Sequence, residues 1–154
     1  MISNDLLDIA RRLAEGNTTQ TDLRRAVSSV YYALFHAICQ SNADTLVGDD
    51  SIPHDQLAWR QTYRALEHGY ARQRCFMARH NPRFTQPIQT LADYFTTVQG
   101  YRHQADYDPD TNFDLQEVLV TIAQIDEIIA DFRAAPTPER RAFAVYVLMR
   151  ERQD

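Results

Sequence analysis

The chain has 154 residues, a formal net charge of −5 and 44% hydrophobic residues. That length supplies the core of a single domain without disulfide or metal staples, and the acidic balance excludes a protein coated uniformly in cation for nucleic acid. The N-terminal residues include Asp5 and Asp8 and hold no uninterrupted apolar run, so neither a signal peptide nor a membrane span is expected, and a reducing cytoplasm is the expected address.

Apolar residues recur at helical spacing and no alternating strand pattern is present, so the expected fold is all-α. The first helix is predicted from Ser3 or Asn4 to Ala14, with Leu6, Ile9 and Leu13 inward and Ile2 as a staple. Gly16-Asn17 stops it. The second runs from Thr21 to Ala43, capped by Thr21 or Thr19. Leu23, Ala26, Val27, Val30, Tyr31, Leu34 and Ile38 form one apolar face, and Tyr32, Phe35 and Cys39 form a second. A helix apolar on two faces is a central one.

After a loop with Gly48 and Pro53, the third helix is predicted over His54 to Ala78, with Trp59, Tyr63, Leu66, Tyr70 and Met77 on its buried side. Gly69 interrupts it and marks a kink or a close helix approach. The fourth helix runs from Gln86 or Pro87 to Asp106, with Ile88, Leu91, Phe95 and Val98 inward, and Asp108-Pro109-Asp110 ends it. The fifth begins near Asp114 and carries Leu115, Val118, Leu119, Ile122, Ile125, Ile129 and Phe132. Pro136 breaks it. Thr137-Pro138-Glu139 opens a last helix through Arg150, with Phe143, Tyr146 and Val147 on one side. Long helices and short connections give an antiparallel up-and-down bundle of four or five helices over residues 1 to 135, with residues 136 to 154 as a helical extension of the same domain.

Charge is unevenly spread. Six arginines lie from Arg60 to Arg83 against Glu67 alone, whereas the stretch from Asp106 to Asp131 has eight acids and no arginine. Arg60, Arg64, His68 and Arg72 repeat every four residues and make a basic ridge on the predicted third helix. Like charges at that spacing repel, so the ridge is either solvated, paired with acids, or a contact for RNA phosphate.

The most specific local signal is Arg102. It continues the inward line Leu91, Phe95, Val98, and its guanidinium stays charged at any working pH. Such a group needs a carboxylate, a phosphate or a wet cleft. Asp106, four residues on, supplies a structural bridge; otherwise Arg102 is an anion-binding or catalytic arginine. His103 is the one histidine adjoining it. His36 reads as a packed core residue, and the Arg74-x5-His80 spacing is too short a pattern to carry chemistry. Cys39 and Cys75 read as small apolar core residues. No Glu-x-x-His repeat, cysteine cage or Gly-rich phosphate loop is present, so no metal or cofactor is expected.

Two segments, RRAVSSVYYALFHAIC from Arg24 to Cys39 and YRHQADYD from Tyr101 to Asp108, together resemble the HEPN superfamily, in particular its small prokaryotic branch with an Arg-x-x-Ala-Asp-Tyr segment. The likeness covers residues 5 to 133. It implies a homodimer with a cleft at the interface, lined by the arginine segment of both chains. It also implies one of two roles: a metal-independent ribonuclease in a toxin or defence system, or a non-catalytic protein that partners a small nucleotidyltransferase or binds nucleotides. The family's ribonuclease motif ends in a histidine four to six positions after the arginine. Here Arg102 and His103 match its first two places, but Tyr107 stands where the histidine belongs. Proton transfer near neutral pH suits histidine and not tyrosine. The expectation is therefore a binding or assembly protein whose site is Arg102 and Asp106, with endoribonuclease activity through Arg102 and His103 or Tyr107 as the alternative.

Overall fold

A computed structural model describes residues 1 to 154. The fold is all-α, with seven helices and no strand: α1 (Ile2–Leu13), α2 (Gln20–Leu46), α3 (Gln56–Tyr63), α4 (His68–Ala78), α5 (Gln86–Tyr107), α6 (Leu115–Ala134) and α7 (Thr137–Leu148). None is long and apolar enough to cross a membrane. The chain divides into two compact units, the first from Met1–Ala37 with Tyr94–Ala130, the second from Ile38–Asp93 with Asp131–Asp154.

The first unit contains α1 and the N-terminal part of α2, the C-terminal part of α5 and most of α6. Thr19 and Asp22 start α2 reciprocally. The Asp22 amide donates to Thr19 Oγ1 at 3.2 Å, and the Thr19 amide donates to Asp22 Oδ2 at 2.9 Å, which occupies two donors that a helix start leaves open. Asp114 does the same work for α6 by accepting from the Glu117 amide at 3.0 Å. Val30, Tyr31, Leu34, Phe95, Val98, Ile122, Ile125 and Ile129 are buried. Tyr31 and Phe95 meet with ring centroids 5.5 Å apart.

Helix α1 turns by one residue from the expected register. Ser3, Leu7, Ala10 and Ala14 are buried, while Ile2 and Ile9 are exposed and Leu6 and Leu13 are half-buried. Its N-cap is Met1, ahead of the expected Ser3 or Asn4, and gives no side-chain cap bond. The small side chains of Ala10 and Ala14 are thus buried in place of the larger Ile9 and Leu13.

The second unit holds the C-terminal part of α2, all of α3, α4 and α7, and the start of α5. Its core includes Ile38, Ala71, Cys75, Ala78, Ile88, Leu91, Phe132 and Phe143. Phe143 stands edge-on to both Phe84, at 5.8 Å, and Phe132, at 6.0 Å, a favoured aromatic geometry. The single helix expected over residues 54 to 78 is two. Arg64 ends α3 with φ −88° and ψ 1°, and Glu67 is extended before α4 begins. Leu66, between them, turns inward and is buried. The break resets the phase. Ala71, Cys75 and Ala78 face the core of α4, whereas Met77 is exposed and Tyr70 only half-buried. Gly69 lies in the first turn of α4, and nothing stands within 4 Å of a Cβ built on it, so it marks no close approach.

Candidate functional site

The two segments that stood out in the sequence line one groove in the first unit. It has a volume of about 530 Å³, with Arg24, Arg25, Ser28, Ser29 and Tyr32 contributed by α2 and Asp106 and Tyr107 by α5. The spacing of the α2 residues explains this. Positions 25, 28, 29 and 32 fall on one side of a helix, while Ala26, Val27 and Val30 go to the core.

Arg24 holds the two walls together. Its Nη1 donates to the carbonyl oxygens of Ala105 at 2.9 Å and Gln104 at 3.3 Å, and its Nη2 donates to the carbonyl of Thr111. These carbonyls lie at and beyond the C-terminal turn of α5, where a helix lacks internal donors and a cation is favoured. Arg24 is thus a helix cap supplied from another helix. Arg25 differs. It makes no ion pair, and the hydroxyls of Ser28 and Ser29 make no hydrogen bond within the chain. The groove therefore carries one unpaired guanidinium and two open hydroxyls side by side.

Arg102 is not part of that lining but touches two residues that are, Asp106 and Tyr32. Only 15% of its side chain is exposed, and its Nη1 meets Asp106 Oδ2 at 3.5 Å. Its guanidinium carbon lies 5.0 Å from the Tyr31 ring centroid and 5.9 Å from that of Tyr32, close enough for cation–π attraction. Burial works against the charge. Tyr32, Tyr31 and Asp106 outweigh it, so the net displacement of its pKa is upward from an already high value. Its Nε is buried without a hydrogen-bond partner, a group that costs about 1–3 kcal/mol to leave unpaired. The bridge to Asp106 that the sequence spacing allowed is made, and one donor of Arg102 is left over.

His103 is exposed and packs its ring 5.0 Å from that of Tyr107. Tyr107 reaches the groove lining; no histidine does. Asp106 and Tyr107 thus line the groove, while Arg102 and His103 stay out of the lining and each touches one of these two residues.

The basic residues 60 to 72 belong to the second unit and do not form one ridge. Arg60 is on α3, Arg64 is its C-cap, and His68 and Arg72 are on α4. Arg60 and Arg64 border an open hollow with Leu57 and Glu67, and Arg72 is exposed. The helix break removes the four-residue repeat that sequence spacing implied.

No group of three or more histidine, cysteine or acidic side chains is placed to hold a metal. Cys39 and Cys75 are buried free thiols. Burial pushes the Cys39 pKa up to about 12 and that of Cys75 up as well, so both are poor nucleophiles. His36 is half-buried beside Phe35, and burial lowers its pKa. Comparison of the chain with protein-family models, with curated proteins and with solved structures finds no match.

Sequence reasoning missed Arg25, Ser28 and Ser29 as site residues. The signal was present: polar side chains at helical spacing inside an otherwise apolar helix, ahead of Tyr32 on the same side.

Proposed function

We propose that this chain is a HEPN-like binding and assembly protein that acts as a homodimer. Its α2–α5 groove takes a phosphate-bearing ligand, RNA or a nucleotide, or docks a small nucleotidyltransferase, as in a toxin–antitoxin or defence pair. One observation carries the reading. The two motif segments form the walls of a single groove where Arg25, Ser28 and Ser29 offer unengaged donors, backed by Arg102 with an unpartnered Nε. Phosphate recognition needs such a set: a fixed cation, small hydroxyls and little competing acid. Asp106 is the one acid in the lining, and Arg102 neutralises it at 3.5 Å. The absence of a lining histidine supports binding over cleavage, because a proton carrier titrating near neutrality has no place at the groove wall.

Purified protein mixed with labelled RNA or ATP in the presence of chelator tests the reading. Expected is saturable binding that weakens at least tenfold in Arg25→Ala and Arg102→Ala, with the RNA intact, together with dimers in sedimentation at micromolar concentration. RNA cleavage that Arg102→Ala abolishes would instead establish the metal-independent endoribonuclease, with Tyr107 or His103 as proton carrier. Unchanged binding, with a lower melting temperature alone, would reduce Arg102 to a structural bridge. A monomer would remove the shared cleft.

A further inference from the structure

The geometry points to a second binding face, on α4 of the second unit, for single-stranded nucleic acid. No residue from His68 to Ala92 is acidic, yet the run contains Arg72, Arg74, Arg79 and Arg83. None of the four has a carboxylate within ion-pair distance; of their neighbours, Arg150 alone is paired, to Glu67 at 3.3 Å. In a chain of net charge −5 this is a local reversal of sign.

Aromatic rings are set among these cations. With Ala71, Cys75 and Ala78 turned inward, the helical repeat puts Arg72, Phe76, Arg79 and His80 along one outer flank. Phe76 is 58% exposed, which is unusual for a large apolar ring. The Arg79 guanidinium lies over it at 3.9 Å, and Arg79 Nη1 donates to His80 Nε2 at 3.0 Å. Arg79 Nε is buried with no partner. On the other flank Tyr146 of α7 lies between Arg74, at 3.6 Å, and Arg83, at 5.9 Å.

Planar rings held by guanidinium groups, with free cations beside them, match how single strands are bound: bases stack on the rings, and arginines meet the phosphates. A duplex hides its base faces and cannot use Phe76 in this way. An anionic membrane fits less well. Exposed Phe76 and Met77 diverge by a helical step of about 100°, and Gln73 lies between them instead of a continuous apolar stripe.

Fluorescence anisotropy tests the assignment. The probe is a labelled single-stranded RNA of about a dozen nucleotides, compared with its duplex, with polyglutamate and with anionic vesicles as competitors. Expected is preference for the single strand, a loss of roughly tenfold in Phe76→Ala, and retention in Phe76→Tyr. Arg72→Ala and Arg79→Ala should each flatten the slope of log affinity against log salt by about 0.7, and Arg12→Ala should change nothing. Arg72 and Phe76 are exposed, so circular dichroism and melting of their variants should match the parent. Equal competition by polyglutamate with no effect of Phe76→Ala would overturn the proposal, as would displacement by vesicles alone or no binding at low salt. Binding whose loss follows Arg25 and Arg102 but not Phe76 belongs to the α2–α5 groove and equally overturns it.

Discussion

The walls of the α2–α5 groove and the surface of α4 are both arginine-rich, and apart from Arg25, unpaired in the groove, and Arg74, whose Nε donates to the Tyr146 carbonyl at 2.8 Å, they use the residue in opposite ways. In the groove Arg24 spends its donors on three main-chain carbonyls and Arg102 is held by Asp106 and two tyrosine rings. On α4, Arg72 is exposed with no partner, and beyond its end Arg79 and Arg83 touch rings but no carboxylate. A buried guanidinium whose hydrogen bonds are made inside the chain is a structural part. One that is exposed, or stacked with donors to spare, is available to a ligand. Residue type alone does not separate the two; the count of engaged donors does.

Substitutions that strip out the support of the first region should have the largest effect. Tyr31 is fully buried and lies under Arg102. Tyr31→Ala is expected to cost about 3–5 kcal/mol in urea unfolding, the range for removing a core aromatic ring. A cost under about 1 kcal/mol would mean that the ring is not the floor of this site. Arg24→Ala comes next, at about 1–3 kcal/mol, because it removes this donor from the Ala105 and Thr111 carbonyls, while Gln104 keeps the Asp108 amide. Arg102→Ala should cost about 1 kcal/mol or less, since Asp106 is partly exposed and regains water. Arg72→Ala on α4 should lie within about 0.5 kcal/mol of the parent. The contrast between Arg24 and Arg72 is sharpest as a pair: equal losses of stability would show that the two regions do not differ as described.

The sequence made the helical class, α5 and α6 legible, because Ile88, Leu91, Phe95 and Val98 and the Ile122–Ile125–Ile129 series mark unbroken apolar faces. It misled in α1 and in the region of α3 and α4, for one reason. Reading the largest side chains as the inward ones chose Leu6, Ile9 and Leu13, and Tyr70 and Met77. Burial instead favours Leu7, Ala10 and Ala14, and Ala71, Cys75 and Ala78, each set shifted by one position. In both helices small residues take buried positions, and the larger ones next to them are more exposed. The break at Arg64 to Glu67 left no mark in sequence, since Ala-Leu-Glu is good helix-forming material; tertiary burial of Leu66 decides it. The site was half legible: Arg102 and Asp106 were found from their spacing. Arg25, Ser28 and Ser29 were passed over because their polar spacing on α2 marks an outward side of the helix and does not show that a second wall faces it.

The smallest expected effect is titrational, and it has opposite signs in the two units. His36, in the first, has its pKa lowered by burial below the usual 6.5. The folded chain therefore holds the imidazole neutral, and the unfolded chain takes up the proton more readily. Stability is full above about pH 6.5 and declines as pH falls from there toward the folded pKa. Asp44, in the second, has its pKa raised by burial, with Asp49 and Asp50 adding to the rise and the Trp59 Nε1–H donation at 2.9 Å opposing it. Its folded form prefers the proton, so its contribution is full below about pH 3.9 and is lost as pH rises through the folded pKa. His36→Gln should flatten the loss of stability between about pH 7 and 6. Asp44→Asn, which keeps an acceptor for Trp59, should leave that window untouched and raise the urea midpoint slightly at neutral pH. Parallel profiles for the parent and His36→Gln would show that the imidazole is solvated in the folded chain.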